Sequence, residues 1–339
     1  MNILVTGGAG MIGSNLVKRL VSEGHSVKVA DNLWRGKLEN LFEGDRPVID
    51  LNTEFYRVDL RRNANCLSVS RDIDVVYHLA DIVAGINFVF SNELSLFRAN
   101  IIMNSNMLNA AVENGVKKYI YVGTACSYPK EKQASLNPPP FREKDAYPAN
   151  PESSYGWSKL MGEYECELAH RAGRIEIGLL RLHNVYGPPS ELSPEKSQVI
   201  PALCRKAIRH PAEDFVVWGS GRQRRAFVYV DDVTDALCRI LERGMNQGVI
   251  QIGPNESESI GNIARKIVDL SGKPLEITFD TTKPEGDVDR TADWSKASRI
   301  LGWSPRVNIA DGLERTYEWC RRYLEVGRSP SLPLVCQQL

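Results

Sequence analysis

Three glycines near the N-terminus constrain this chain more than any other feature. Gly7, Gly10 and Gly13 have the spacing G-x-x-G-x-x-G within the stretch MNILVTGGAGMIGS. They follow a short apolar run, Asn2 to Thr6, and precede Met11 to Leu20, where apolar residues recur at helical spacing. A strand, a tight turn and a helix in this order aim unpaired N–H groups at a phosphate, and glycine lets that phosphate approach the backbone. The stretch therefore predicts the first unit of a dinucleotide-binding fold.

An acidic residue ends the second predicted strand. The strand runs from Ser26 to Ala30, and Asp31 follows it. A carboxylate at this place accepts hydrogen bonds from the ribose hydroxyls of adenosine and repels the additional phosphate of NADP. NAD is therefore the predicted cofactor. The nearby Arg35 keeps NADP open as an alternative.

Composition excludes several classes of partner. Lys plus Arg and Asp plus Glu both number 42, so no excess charge indicates a nucleic acid or an anionic membrane as partner. The seven cysteines contain no C-x-x-C pair, which argues against a disulfide framework or a zinc site, and no metal site is predicted. No apolar run approaches the ~20 residues needed to cross a bilayer. Because the first strand begins at residue 2, we expect no signal peptide and a cytoplasmic protein.

Strand and helix patterns alternate along most of the chain. Apolar strands are predicted at Phe55 to Val58, Val75 to Leu79, Tyr119 to Val122 and Ile177 to Leu182, with a long helix from Leu94 to Asn114. This pattern predicts an α/β protein with a Rossmann-type, doubly wound parallel sheet. After about Pro189 the elements become shorter and mixed, and we expect a strand pair around 215–218 and 226–229.

These patterns suggest two parts of the chain. Residues 1–188 are predicted to form the NAD-binding domain, with its sheet completed by later segments at about 226–253. Residues 189–330 are predicted to form mainly a smaller, mixed α/β substrate lobe.

A tyrosine and a lysine form the predicted catalytic pair. Tyr155 and Lys159 are four residues apart on a helix capped by Ser153 or Ser154, so their side chains share one face. A neighbouring ammonium lowers the pKa of a phenol, and a phenolate near neutral pH is a general base for a hydroxyl undergoing oxidation. Thr124, at the end of a predicted strand, supplies a hydroxyl that orients the same substrate oxygen.

The chain resembles the extended short-chain dehydrogenases/reductases of the nucleotide-sugar epimerase and dehydratase kind. The resemblance runs from Met1 to about Tyr323 and includes, besides the glycines and Y-x-x-x-K, the segments HNVYGPP (183–189), VWGSGRQRRAFVYVDDV (217–233) and PEGDVDRTADWSKASRILGW (284–303). It implies transfer of a hydride from C4 of a sugar to NAD and its later return. The implied cofactor contacts are Gly7, Gly10, Met11, Ile12, Gly13, Asp31, Asn32, Asp59, Leu60, Leu79, Ala80, Asn100, Tyr155 and Lys159.

Cys126 narrows the expected activity. It lies two residues after Thr124, in the sequence A-C-S-Y-P, where the dehydratase and decarboxylase subfamilies carry acidic residues. This context resembles GDP-mannose 3,5-epimerases and GDP-fucose synthases, in which the thiol exchanges protons on the carbons that flank a ketone. A partly exposed thiolate beside a cation is a competent base for that step. The alternative is a small buried residue without a catalytic role.

One position departs from this subfamily pattern. Counting without gaps places Gln198 where these relatives carry a lysine or a histidine as second acid/base, and glutamine does not titrate. Lys196 is the alternative, if the loop differs. The departure leaves open an epimerase that acts on a single centre, or a 4-epimerase with an unusual cysteine.

The resemblance also implies a nucleotide-diphosphate sugar as substrate, with a GDP-sugar favoured. The implied contacts are Asn184, Lys196, Gln198, Val199, Lys206, Trp218, Gln223, Arg225 and Arg290. Arginine suits this role because its fork pairs with two phosphate oxygens. His78 and His183 lack a metal-ligand pattern and are interpreted as structural. The helices 94–114 and 155–170 resemble the dimer contact of the family, so we expect a homodimer.

An NAD-dependent nucleotide-sugar epimerase resembling the GDP-mannose 3,5-epimerases is therefore the leading hypothesis. The alternatives are a UDP-sugar 4-epimerase, a reductase like the GDP-fucose synthases, and a non-catalytic NAD-sensing protein on the same fold. Asp31 argues against a reductase that consumes NADPH, and the presence of Thr124, Tyr155 and Lys159 argues against a sensor.

Overall fold

The computed structural model describes residues 1–325. The strands are β1 (Asn2–Thr6), β2 (Ser26–Asp31), β3 (Phe42–Glu43), β4 (Arg46–Pro47), β5 (Phe55–Arg57), β6 (Val75–His78), β7 (Lys118–Thr124), β8 (Glu176–Leu182), β9 (Asn184–Tyr186), β10 (Val216–Trp218), β11 (Arg224–Arg225), β12 (Phe227–Tyr229), β13 (Val249–Ile252), β14 (Glu258–Ser259) and β15 (Thr278–Asp280). The α-helices are α1 (Met11–Ser22), α2 (Asn63–Val69), α3 (Ile86–Ser91), α4 (Glu93–Glu113), α5 (Ser154–Arg171), α6 (Val199–Arg209), α7 (Val230–Arg239), α8 (Ile260–Ser271), α9 (Ser295–Leu301) and α10 (Ile309–Glu325).

Seven parallel strands form the central sheet, in the order β13-β8-β7-β6-β1-β2-β5. The order of strands changes direction at β1. β2 and β5 lie on one side of it, and β6, β7, β8 and β13 lie on the other. In such sheets the crevice at the carboxyl ends of the strands, beside this reversal, is the ligand site. The α/β class and the doubly wound parallel sheet predicted from the sequence are confirmed.

Alternate residues of the strands pack into separate cores. Ile3 and Val5 of β1 join an apolar cluster with α1 and α7, whereas Leu4 joins a second cluster with α2 and α4. Both faces of the sheet are therefore covered, which explains why its strands read as continuous apolar runs. A third cluster holds together α6, α8 and α10.

The expected strand pair in the later part of the chain is wrong. β10 pairs with β15, and β12 pairs with β9, so the two segments do not pair with each other. Sequence pattern marks a strand by its alternation but carries no information on a partner that lies some 40 or more residues away. β13 pairs with β8 at one edge of the central sheet.

Among residues 1–325, no helix combines the length and the apolar character that crossing a membrane requires.

Candidate active site

A cavity of about 730 Å³ opens at the carboxyl ends of the central strands. It is lined by the glycine turn, by residues after β2, β6 and β7, by the start of α5 and by α6. All the predicted site residues line this cavity except Asn100 and Lys196. The sheet edge thus brings together groups that are far apart in the sequence.

The glycine turn packs so closely against neighbouring backbone that side chains are excluded at Gly7 and Gly13. Gly7 has φ +69°, and a Cβ there would lie 2.9 Å from the backbone of Ala80. A Cβ on Gly13 would lie 2.2 Å from the Gly7 carbonyl oxygen. The turn leads directly into α1, whose N-cap is Gly10. This is a cradle for a phosphate group, which contacts backbone N–H groups at a helix N-terminus.

Asp31 lies beside this turn, at the end of β2. Its two carboxylate oxygens accept hydrogen bonds from the backbone N–H groups of Ala9, at 3.0 Å, and Leu33, at 2.8 Å. Burial raises the pKa of Asp31, and these two hydrogen bonds oppose the shift. Each oxygen retains a lone pair for a ribose hydroxyl.

Arg35 is directed away from Asp31. Its Nη1 donates to the carbonyl oxygen of Val83 at 3.2 Å, and its charge interacts with Asp81.

The remaining implied cofactor contacts follow β5 and β6 and also line the cavity. Asp59 and Leu60 follow β5, and Asp59 forms a salt bridge of 2.6 Å with Arg61. Leu79 and Ala80 follow β6, and Ala80 N–H donates to Thr6 Oγ1 at 3.2 Å. Further lining comes from Met11, Ile12 and Asn32.

The predicted catalytic pair lies on the first turns of α5. Ser153 caps this helix, accepting a hydrogen bond from the N–H of Gly156 at 3.2 Å. The Tyr155 hydroxyl donates to Asp81 Oδ2 at 2.8 Å, and Lys159 Nζ lies 3.8 Å from the same oxygen. Burial and then the charge of Asp81 raise the pKa of Tyr155 well above its usual value. In this state Tyr155 is a phenol, not the phenolate that its spacing from Lys159 suggested.

Cys126 lies opposite this pair, on a short 3₁₀ turn at Ala125–Ser127 that follows β7. Thr124 caps the turn, with its Oγ1 accepting from the Cys126 N–H at 3.2 Å. A Cβ on Gly156 would lie 2.2 Å from the Cys126 carbonyl oxygen. The helix that carries Tyr155 therefore lies directly against the cysteine turn, and Ser127 Oγ of this turn donates to the Gly156 carbonyl oxygen at 3.3 Å. The thiol is half-buried and lines the cavity.

Arg290 is the cation that contacts the thiol. Its Nη2 lies 3.5 Å from Cys126 Sγ and 3.3 Å from Asn184 Oδ1. Its Nη1 forms a salt bridge of 2.9 Å with Asp287. Although burial acts to lower the pKa of Arg290, Cys126 and Asp287 raise it. Arg290 thus brings a positive charge to within hydrogen-bonding distance of the Cys126 sulfur.

A second guanidinium lies beside the first. Arg225 is 9% exposed, and its Nη1 donates to the carbonyl oxygens of Arg224, at 2.7 Å, and Asp287, at 2.6 Å. Burial and the neighbouring Arg290 lower the pKa of Arg225 to about 10. Two buried cations that repel each other make a favourable site for an anion with more than one charge, such as a diphosphate.

Glu152 and Asp287 form a carboxyl pair next to these arginines. Both side chains line the cavity. Burial and then Asp287 raise the pKa of Glu152 to about 7. A carboxyl group with such a pKa can give or accept a proton near neutral pH.

The remaining predicted substrate contacts surround the same region. Lys206 donates to the carbonyl oxygen of Val216 at 2.5 Å, and burial lowers its pKa. Gln223 Nε2 donates to the carbonyl oxygen of Trp218 at 3.3 Å. Gln223 Oε1 and Arg290 Nε are buried and have no hydrogen-bond partner within the described part of the chain. Buried polar atoms of this kind are available to a ligand. Gln198 caps α6, and Val199 begins it.

Asn100 and Lys196 have other contacts. The amide of Asn100 accepts from the Ile82 N–H at 2.8 Å and donates to the Ile82 carbonyl at 3.2 Å, so it fixes the loop after β6. Lys196 donates to the Trp34 carbonyl oxygen and lies 4.7 Å from the centre of the Trp34 ring. Neither side chain lines the cavity.

The two histidines belong to buried networks. The Asn104 amide nitrogen donates to the Tyr121 hydroxyl, so Asn104 Oδ1 is left to accept from His78 Nε2 at 3.0 Å. The other ring nitrogen of His78, Nδ1, therefore accepts from Thr6 Oγ1 at 2.8 Å. His183 contacts Gln251 at 3.3 Å. Burial lowers the pKa of both histidines to about 3, so both are neutral.

Four cavity residues of chemical interest escaped the sequence reasoning: Asp81, Glu152, Glu285 and Asp287. Asp81 carried one usable signal, since it is an acid just beyond a buried strand, at the sheet edge where ligands bind. Glu152 and Asp287 are 135 positions apart, and no local pattern joins them.

The fold and the site define a dinucleotide-binding enzyme of the short-chain dehydrogenase/reductase type. The profile of the NAD dependent epimerase/dehydratase family matches residues 3–253. The chain belongs to this family of NAD-dependent nucleotide-sugar epimerases and dehydratases.

Individual relatives have several activities. The chain is 35% identical to GDP-mannose 3,5-epimerase 1 of Oryza sativa subsp. indica, over 98% of this chain and 85% of the relative. It is 31% identical to GDP-L-fucose synthase 1 of Arabidopsis thaliana, over 94% and 92%. The structure of UDP-glucose 4-epimerase from Thermotoga maritima with UDP-glucose is similar with a TM-score of 0.84 and 30% identity, covering 96% of this chain and all of that one. The relatives thus share nucleotide sugars as substrates and differ in the nucleotide and in the reaction.

Proposed function

We propose that this protein is an NAD-retaining nucleotide-sugar epimerase of the GDP-mannose 3,5-epimerase type. The observation that carries the proposal is the presence, in one cavity, of a tyrosine–lysine pair and a thiol beside a buried guanidinium. The first pair suits oxidation of a sugar hydroxyl. The thiol suits proton exchange at a carbon next to the resulting ketone.

The residues present fit NAD as the cofactor. The glycine turn is a cradle that a Cβ would fill, and Asp31 has lone pairs for the ribose hydroxyls. The same carboxylate repels an additional phosphate, and Arg35 is directed to Val83 instead. NAD, when bound, supplies the acceptor and later the donor of a hydride.

The chain's own residues then have distinct tasks. Tyr155 and Thr124 hold the hydroxyl that is oxidised, and the tyrosine receives its proton. The ketone that results makes the hydrogens on neighbouring carbons acidic, and Cys126 removes one of them with Arg290 stabilising the thiolate. The pair Arg225 and Arg290 holds the diphosphate, and Gln198 and Lys206 lie along the nucleotide side.

Inversion of a carbon next to the ketone requires a second acid, which returns a proton on the face opposite to Cys126. Gln198 cannot fill this role because an amide does not titrate in the ordinary pH range. The carboxyl pair of Glu152 and Asp287 lies in the same cavity and carries a proton near neutral pH. We assign the return of the proton on the opposite face to this pair.

The test is proton NMR of GDP-mannose with the purified protein and NAD in D₂O, without added reductant. Deuterium at C3 or C5, with new epimers, is the expected result. Exchange at one carbon only would show an epimerase with a single centre. No exchange and no product would exclude GDP-mannose.

A UDP-sugar 4-epimerase is the second candidate. It is favoured by Gln198 and by the similarity to the solved UDP-glucose 4-epimerase. The same NMR assay with UDP-glucose distinguishes it, because inversion at C4 occurs without uptake of solvent deuterium.

A further inference from the structure

Asp81 contacts both members of the tyrosine–lysine pair. Its Oδ2 accepts the Tyr155 hydroxyl hydrogen bond of 2.8 Å and lies 3.8 Å from Lys159 Nζ. Its side chain is 20% exposed and lines the cavity. A carboxylate, a phenol and an ammonium therefore meet at one oxygen atom.

The backbone on both sides of Asp81 is fixed. Ala80 N–H donates to Thr6 Oγ1 at 3.2 Å, and the Asn100 amide makes two hydrogen bonds with the backbone of Ile82. Asp81 thus lies on a short segment held by side chains from β1 and α4, and its contact with Tyr155 is built into the fold.

This arrangement bears on how Tyr155 can act. Burial and the charge of Asp81 raise the pKa of Tyr155 far above neutral pH, so Tyr155 keeps its proton. A phenol can accept a proton from a sugar hydroxyl only if it gives up its own. The hydrogen bond to Asp81 already lies along the path that this second proton would take.

We propose that Asp81 is the terminal proton acceptor of a two-step relay in which Tyr155 passes on the proton of the sugar hydroxyl. The inference rests on the proposed function. The sugar O–H bond breaks as its proton binds Tyr155 Oη, and the Tyr155 O–H bond breaks as its proton binds Asp81 Oδ2. The hydride leaves the same carbon for oxidised NAD, so one C=O bond forms. Return of the hydride reverses both proton transfers.

Asp81 is a positioning residue on this scheme, because it acts through Tyr155. The other charged or titratable groups that face the two are Lys159 on the same helix, Arg35 in the loop after β2, Cys126 on the turn after β7, and Tyr121 of β7. None of these is a second carboxylate, so Asp81 is the acceptor that the relay requires.

The test compares Asp81→Asn and Asp81→Glu with the wild-type protein across pH. Asp81→Asn should lower kcat at pH 7 by about a hundredfold, which is typical for loss of general base catalysis. The loss should shrink as the pH rises, because without the carboxylate Tyr155 deprotonates at lower pH and then accepts the sugar proton itself. Asp81→Glu should restore part of kcat. Asp74→Asn, at the opposite end of β6, is the matched control and should leave the pH profile unchanged.

A second measurement does not depend on turnover. Ultraviolet difference titration of phenolate, with each protein compared with its Tyr155→Phe double variant, reports the pKa of Tyr155 directly. Asp81→Asn should lower it. The relay is overturned if kcat of Asp81→Asn stays within threefold of wild type, if the loss is the same at every pH, or if the pKa of Tyr155 does not move. If the wild-type protein converts no nucleotide sugar, the proposed function has failed; a shifted Tyr155 pKa would then still show the Asp81–Tyr155 coupling.

Discussion

Arg290 Nη2 lies 3.5 Å from Cys126 Sγ, in a cavity that also contains the Tyr155 hydroxyl. The arginine reaches the cysteine from 164 positions further along the chain. This contact joins the later segment of the chain to the turn after β7, and it gives the thiol a permanent cationic neighbour. A cysteine in such a place differs from the buried cysteines at positions 66, 166, 204 and 320.

The first prediction concerns the division of labour in the site. Cys126→Ala should lower deuterium uptake at the carbon next to the ketone by at least about a hundredfold, because the general base is removed. Oxidation of the sugar, followed by the absorbance of reduced nicotinamide, should persist because Tyr155 and Lys159 are untouched. Cys238→Ala, on α7, is the matched control and should behave as wild type. Equal loss of both steps in Cys126→Ala would show that the thiol has a structural role instead.

The second prediction concerns the nucleotide diphosphate. Arg225→Gln should weaken binding of GDP by about ten- to a hundredfold, since a hydrogen bond between charged groups contributes about 1.5–3 kcal/mol. Isothermal titration calorimetry measures the change. Arg243→Gln removes the same charge from an exposed side chain and should not alter affinity. Equal affinities for the two variants would remove Arg225 from the binding site.

The third prediction follows from the raised pKa of Glu152. Because the folded protein binds this proton more tightly than the unfolded chain, stability falls as the pH rises from the ordinary pKa of 4.5 to about 7. Glu152→Gln should therefore raise the free energy of unfolding, relative to the wild type, more at pH 8 than at pH 4. We expect a gain on the order of 1 kcal/mol, after allowance for solvent screening of this exposed side chain.

Urea unfolding at the two pH values, with Glu256→Gln as the control on an exposed loop, measures this difference. A gain in stability that is the same at pH 4 and pH 8 would contradict the raised pKa of Glu152.

The fourth prediction concerns assembly. The outer faces of α4 and α5 carry five exposed apolar side chains, namely Leu94, Ile102, Met161, Tyr164 and Leu168. A patch of this kind on two packed helices suits contact with a second copy of the chain. Leu168→Glu should convert a homodimer to a monomer in sedimentation analysis. Leu270→Glu, at an exposed site on α8, should not. A wild-type protein that sediments as a monomer would refute the expected dimer.

The central sheet could be predicted because its signals are local. Apolar runs, the glycine turn and Asp31 each depend on a few neighbouring residues, and the alternation of strands with helices indicates a parallel sheet. The role of Asn100 could not be read in this way, because its partner Ile82 lies in a loop with no pattern of its own. Lys196 illustrates the same limit, since its cation is held by Trp34, 162 positions earlier in the chain.

The state of Tyr155 was also beyond the sequence. Spacing on a helix places Lys159 beside it, which alone favours a phenolate. The opposing carboxylate of Asp81 lies in the loop after β6, 74 positions away, and its effect depends on burial that only the folded chain provides.

Gly156 has a consequence for how this site can vary. A methyl group at this position would lie 2.2 Å from the Cys126 carbonyl oxygen and would force the Tyr155 helix away from the Cys126 turn. The helix that carries Tyr155 and the turn that carries Cys126 are therefore in direct contact at Gly156, away from the residues that surround the sugar. Changes elsewhere in the cavity can alter which sugar enters, while the reach between the two groups stays the same.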